Sequence, residues 1–136
     1  MTWEPRPMPQ VNPETREYWE SAGDNSLLVS ECRECGLVYH YPRANCPDCF
    51  SGNVAWREAM GQGEVYSYSV TPKVTGWPEE DLPLVLAYVE LDEGPRMMTN
   101  IVDCDSEDVD IGTRVEVTFV ETEEDIGIPV FTPVDD

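Results

Sequence analysis

Residues 32–49 read CRECGLVYHYPRANCPDC, and the cysteine pairs at its two ends, Cys32 with Cys35 and Cys46 with Cys49, decide the architecture. Ten residues lie between the pairs, enough for the chain to fold back and gather four thiolates around one tetrahedral ion. Zn²⁺ suits such an all-sulfur site, with Zn–S near ~2.3 Å and no position left open to substrate. Gly36 follows the first pair and Pro47 sits inside the second, which favours tight turns whose backbone N–H groups face the sulfurs. Spacing alone leaves iron open as the metal. Two disulfides are the rival reading, and they fit poorly with an N-terminus that resembles no secretory leader. A metal closed in by four sulfurs organises structure and does not catalyse.

Working outward, residues 27–60 form the metal module. Leu27-Leu28-Val29 leads into the first pair, Leu37–Tyr41 forms a short strand stopped by Pro42, and Val54–Glu58 alternates after the second pair. His40, the single histidine, is expected on the ribbon surface and not as a ligand. Residues 1–26 read as a proline-rich extended arm followed by a helix. Asn12 is placed to cap that helix, Pro13 to occupy its first position, and Glu14 and Glu17 to favour its positive end. Tyr18 and Trp19 give it an aromatic side that serves either packing or docking.

Residues 61–136 change to a strand rhythm. Gly63–Val70 alternates with period two, and Leu84–Leu91 is a nearly continuous apolar run, as expected of a strand covered on both faces. Arg96–Val102 returns as its hairpin partner after the turn Asp92-Glu93-Gly94-Pro95. Thr113–Val120 alternates again, and Pro129–Phe131 is a last short strand. Gly61-Gln62-Gly63 is a turn, too short to cradle a nucleotide. Five strands without room for a long helix predict a small barrel of the OB-fold type. The expected fold class is therefore mainly β: an N-terminal helix, a zinc ribbon and a five-stranded OB-fold barrel.

Composition bounds the function. Acidic residues number 28 against 8 basic ones, a formal net charge of −20, and Lys73 is the only lysine. At low salt such a surface repels itself, whereas at molar salt the Debye length shrinks to ~3 Å and the penalty fades. The pattern suggests a salt-rich cytoplasm of the halophilic kind, or a face for a basic partner. It argues against nucleic acid, which needs a basic stripe. No apolar run reaches the ~18 residues that span a bilayer, and a cytoplasmic location is expected. Cys104, with acidic neighbours Asp103 and Asp105, is read as a free, partly buried thiol and a poor nucleophile.

The order of these motifs is distinctive. A Tyr18-Trp19-Glu20 helix, the Cys-x2-Cys-Gly and Cys-Pro-x-Cys ribbon, and the run Gly61-x-Gly-x-Val-Tyr-Ser-Tyr68 come first. Leu86-Ala-Tyr-Val-Glu-Leu-Asp-Glu-Gly-Pro-Arg96 and Asp110-Ile-Gly-Thr-Arg-Val-Glu-Val117 follow. Together they closely resemble the DUF35 family of rubredoxin-like zinc ribbon plus OB-fold proteins associated with acyl-CoA metabolism, over roughly Glu14 to Pro133. The resemblance implies a non-catalytic subunit that partners thiolase-superfamily enzymes, such as an acetoacetyl-CoA thiolase or a hydroxymethylglutaryl-CoA synthase, or related hydratases and aldolases. It is similar in particular to small subunits that complete a haloarchaeal β-ketothiolase.

The residues agree about catalysis. A thiolase needs a nucleophilic cysteine, a base and an oxyanion hole, and this sequence offers one spare cysteine flanked by acids and one histidine inside a metal ribbon. On the resemblance, Tyr18, Trp19, Tyr39, Tyr41 and Trp56 are expected to anchor the partner. Lys73, Trp77 and Arg96 are expected to meet acyl-CoA shared with it, against the alternative that Arg96 merely neutralises nearby carboxylates. The competing functions are a stand-alone acyl-CoA-binding protein and a single-stranded nucleic-acid-binding ribbon and barrel.

Overall fold

The computed structural model describes residues 3–4 and 6–134. One helix, α1 (Arg16–Gly23), precedes eight strands: β1 (Leu28–Cys32), β2 (Val38–Tyr39), β3 (Val54–Glu58), β4 (Gln62–Thr71), β5 (Leu84–Leu91), β6 (Arg96–Ile101), β7 (Arg114–Glu121) and β8 (Gly127–Pro133). The first three pair in the order β2-β1-β3, and the other five close into a barrel in the order β4-β5-β6-β8-β7. Every barrel pairing is antiparallel except β6 with β8, which meet at Ile101 and Phe131. The expected mainly β architecture of helix, ribbon and five-stranded barrel is the one observed.

The alternating strands explain the core. Val65, Val85, Ala87, Val89, Leu91, Met97, Val115 and Phe131 point inward and are buried. The same cluster takes in Tyr18 from α1 and Leu27, Leu28 and Val29 from the approach to the ribbon, so one hydrophobic core runs through helix, β1 and barrel. Burial of this kind is worth about 25 cal/mol per Å² of apolar surface and ties the metal module to the barrel by more than a linker.

Three expectations need correcting. The helix begins at Arg16, not at Pro13, because residues 13–15 form a turn. Asn12 still caps that turn, its Oδ1 accepting from the N–H groups of Glu14 and Thr15 at 3.1 Å each. β5 is covered on one face only: Val85, Ala87, Val89 and Leu91 are buried while Tyr88 between them is exposed. Its apolar run reflects a core face plus an outer face on which Leu84 and Leu86 are half-buried and Tyr88 is exposed.

The N-terminal arm is also more than an extended lead. Trp3 donates its N–H to the Glu121 carbonyl at 2.7 Å and its indole Nε1–H to the Pro7 carbonyl at 2.7 Å. The ring packs edge-on to Trp77, with centroids 5.6 Å apart. Arg6 is buried, lies over both indoles and pairs with Asp81. Trp3, Ile128 and Val130 thus form a second apolar cluster on the flank of the barrel.

α1 reaches the barrel closely because Gly127 faces the Ala22–Gly23 backbone and Gly23 faces that of Asp125 and Ile126. A Cβ on Gly127 would run into the Ala22 carbonyl. Gly127→Ala is therefore expected to push α1 off β8 and lower stability by about 1–3 kcal/mol, read as an earlier midpoint in urea unfolding.

Candidate metal centre and surrounding surfaces

Each cysteine pair sits on a hairpin knuckle. In the first, the Cys32 N–H donates to the Leu37 carbonyl at 2.8 Å and the Gly36 N–H to the Cys32 carbonyl at 2.9 Å. Gly36 closes that turn at φ +83°, a left-handed conformation that glycine adopts without cost. The second knuckle repeats the pattern, with Cys46 N–H to the Ser51 carbonyl at 2.9 Å and Phe50 N–H to the Cys46 carbonyl at 3.0 Å. Antiparallel pairing of β1 with β2 and β3 sets the first knuckle in the three-stranded ribbon.

The four Sγ atoms converge, all within 4.8 Å of one another. Cys32 and Cys49 are 3.5 Å apart at sulfur, and Cys35 and Cys46 are 3.6 Å apart. A tetrahedral ion with Zn–S of about 2.3 Å requires sulfurs roughly 3.8 Å apart, so the quartet fits a zinc ion with little adjustment. Amide N–H groups of Cys35, Asp48 and Cys49 point at Cys32 and Cys46 sulfurs over 3.4–3.5 Å. These donors favour the thiolate form that a metal needs. The Cys35 N–H, with burial opposing it, holds the Cys32 thiol below its ordinary value. Burial would raise the Cys46 thiol, but N–H groups of Cys49 and Asp48 more than offset this and bring it to about 7. Cys32 and Cys46 are buried and Cys35 and Cys49 exposed. Four protein sulfurs saturate the ion, so the centre is structural.

Cys104 stands apart as a half-buried free thiol, pushed up by burial and by Asp108, Asp105 and Asp103. That is the opposite of nucleophile activation.

The residues read as partner anchors divide. Tyr18 is 4 % exposed, packed edge-on against Trp19 and His40 with centroids at 5.0 and 5.5 Å. Burial pushes its hydroxyl well above the usual tyrosine range. Tyr39 is buried too and donates its hydroxyl to the Arg43 carbonyl at 2.8 Å. Both side chains are used inside this chain, which corrects the expectation that they reach a partner. Trp19 and Trp56 are half-buried, and Tyr41 is exposed.

The residues read as acyl-CoA contacts are not brought together. Trp77 lies against Trp3 at one end of the β5–β6 hairpin, beside Leu84 and Ile101. Arg96 lies at the other end, paired across the strands with Glu90. Its Nε donates to that carboxylate at 2.9 Å, and its guanidinium stacks 3.7 Å from the Tyr66 centroid. Lys73 is exposed in the loop that joins β4 to β5. The cleft beside Trp77 holds about 580 Å³; its charged lining is Arg6, paired with Asp81, and the carboxylates Glu80, Asp103, Asp105 and Glu107. Those carboxylates repel a polyphosphate.

His40 overturns its expected place on the ribbon surface. It is buried between Tyr18 and Tyr41, and its Nδ1 has no hydrogen-bond partner among the described residues. Sequence reasoning also missed the exposed Tyr66, Tyr88 and Met98. A lone aromatic at Tyr88 within an apolar strand was the available signal.

Comparison with known proteins gives a consistent picture. Residues 19–55 match the model of the ChsH2 rubredoxin-like zinc ribbon domain, and residues 56–120 that of the ChsH2 C-terminal OB-fold domain. The chain is 35 % identical over 128 residues to a probable enoyl-CoA hydratase alpha subunit of Thermomonospora curvata, covering 94 % of this chain and 40 % of that one. It is 38 % identical over 101 residues to a DUF35 domain-containing scaffold protein of Methanothermobacter thermautotrophicus, covering 74 % and 76 % of the two chains. Among solved structures, a chain titled Ltp2-ChsH2(DUF35) aldolase superposes with a TM-score of 0.81 at 34 % identity, covering 93 % of this chain and 98 % of that one.

Two outcomes follow from the site. Metal analysis of the purified protein should give one zinc per chain, and Cys46→Ser should reduce it to near zero. Burial lowers the His40 pKa to about 4, against about 6.5 when unfolded. The unfolded chain binds the extra proton between these values, so stability is full above pH 6.5 and falls on acidification towards pH 4. From pH 7 to 5 the histidine should account for a loss of about 2 kcal/mol. Urea unfolding of His40→Phe should show a correspondingly flatter profile over that range.

Proposed function

The chain belongs to the DUF35 family of zinc-ribbon and OB-fold proteins, and from that premise we propose that it is a non-catalytic scaffold subunit of an acyl-CoA enzyme complex. The single observation that carries this is its close likeness, along nearly its whole length, to the DUF35 chain titled as part of an Ltp2-ChsH2 aldolase. The relatives are named for different assignments, a hydratase alpha subunit, an aldolase and a scaffold protein. A module that persists while the named chemistry changes is better explained as a partner to catalysts than as the catalyst. The closed sulfur site and the electrostatically deactivated Cys104 support the same division of labour.

The partner is proposed to be a thiolase-superfamily subunit of the acetyl-CoA acetyltransferase or hydroxymethylglutaryl-CoA synthase type, with acyl-CoA handled at the shared boundary. Tyr41, Trp56 and Trp19 are the ribbon and helix aromatics proposed to contribute to docking. Lys73 is the cation proposed to meet CoA phosphates there, whereas Arg96 is matched by Glu90 and Trp77 is committed to Trp3 beside a carboxylate-lined cleft. The acidic surface is proposed to reflect a salt-rich cytoplasm, where screening removes its self-repulsion.

Affinity purification of the tagged protein from its native host in high salt, followed by mass spectrometry, tests the proposal. A thiolase-superfamily subunit at near-equal stoichiometry is expected, with no acyl-CoA turnover by the isolated chain. Turnover by the purified chain alone would contradict the scaffold reading.

A further inference from the structure

The outer face of β4, β5 and β6 is the surface on which OB-fold barrels take their ligands, on the second and third strands. Here the strand registers set out three rows on that face. Glu64, Glu90 and Arg96 form the first, Tyr88 and Met98 the second, and Ser69, Leu86 and Asn100 the third. A bulge between Val65 and Ser67 leaves Tyr66 as an extra residue, and its ring lies under Arg96 beside the second row.

β6 pairs with β8 at Ile101, and Thr99 donates its hydroxyl to the Pro129 carbonyl at 3.2 Å, which leaves the Met98 N–H outside that ladder. Tyr41 meets that group, its hydroxyl accepting from the Met98 N–H at 3.3 Å. Tyr41, Tyr66, Tyr88 and Met98 are 53, 48, 38 and 47 % exposed. The two modules therefore build one continuous aromatic and methionine surface. Tyrosine and methionine are the side chains enriched in the cores of protein interfaces.

Charge identifies what covers it. The cation of the face, Arg96, is already matched by Glu90, which leaves Glu64 as its acidic rim on a chain of net charge −20. Single-stranded nucleic acid, the usual occupant of this face, is repelled by that rim. A second copy would bring an identical acidic rim against it. We propose that this face docks a different protein, with an apolar centre and a rim of lysine and arginine: the enzyme subunit of the complex. This rests on the scaffold reading and assigns its contact surface to the barrel as well as the ribbon.

Hydroxyl-radical footprinting of the free chain and of the purified complex tests it side chain by side chain. Oxidation of Met98, Tyr66 and Tyr88 should fall sharply on complex formation. The double variant Tyr88→Glu/Met98→Glu, which alters exposed positions, should keep the wild-type melting temperature and raise the Kd for the enzyme subunit by at least about 30-fold. A complex in which these residues stay as reactive as in the free chain, and which the variant forms at wild-type affinity, would overturn this face and leave the scaffold reading standing. Failure to form a complex with any acyl-CoA enzyme would overturn both. A free chain that self-associates with Met98 protected would show a second copy as the occupant and overturn the assignment.

Discussion

The convergence of Cys32, Cys35, Cys46 and Cys49 is the constraint on which the rest depends. The ribbon around it is three short strands, one of them two residues long, and sheets this small are marginal without further support. Four thiolates on one ion would supply that support and fix the two knuckles to each other. Because β1 leads directly from Leu28 and Val29 in the common core to Cys32 at the metal, the ribbon's geometry is transmitted to the barrel. Tyr41 reaches β6 from the ribbon and is also held by its edge-on packing against the buried His40.

Electrostatics shapes the other half of the molecule. With 28 acidic residues against 8 basic, cations are scarce enough that their placement is informative. Arg6 is buried against two indoles and Asp81, Arg114 makes a two-pronged pair with Asp92, Arg57 joins Glu31, and Arg96 joins Glu90. Exposed pairs of this type contribute little to stability. Their effect is to hold local geometry, above all at Arg96, where the guanidinium also orders Tyr66 on the outer face of the barrel.

Much of this was legible in the sequence. The cysteine spacing specifies the metal quartet because a knuckle is a local structure, and period-two alternation locates β4 and β7, whereas β5 shows as an apolar run, β6 as its hairpin partner and β8 as a short last strand. What could not be read is non-local. The Arg6–Asp81 pair joins residues 75 apart in the chain, and nothing near Trp3 announces that Trp77 will meet it. Whether Tyr18 packs or docks stayed open, and His40 read as a surface residue, because the two bury each other across α1 and the ribbon. The slip at Tyr66 is hidden because polar and aromatic residues keep alternating through the bulge, although the side that each residue faces has changed. The partly open outer face of β5 is concealed by the same apolar residues that made it look doubly buried.

We propose that this chain assists an acyl-CoA enzyme as its scaffold subunit and leaves the chemistry to that partner. The most direct test is a titration of the chain into a fixed amount of its purified enzyme partner at high salt, following kcat/KM for the acyl-CoA substrate. The account predicts a rise that saturates at a fixed stoichiometry, with no turnover by the chain alone. A kcat/KM that stays flat throughout, or activity that scales with the added chain without saturating, would contradict it.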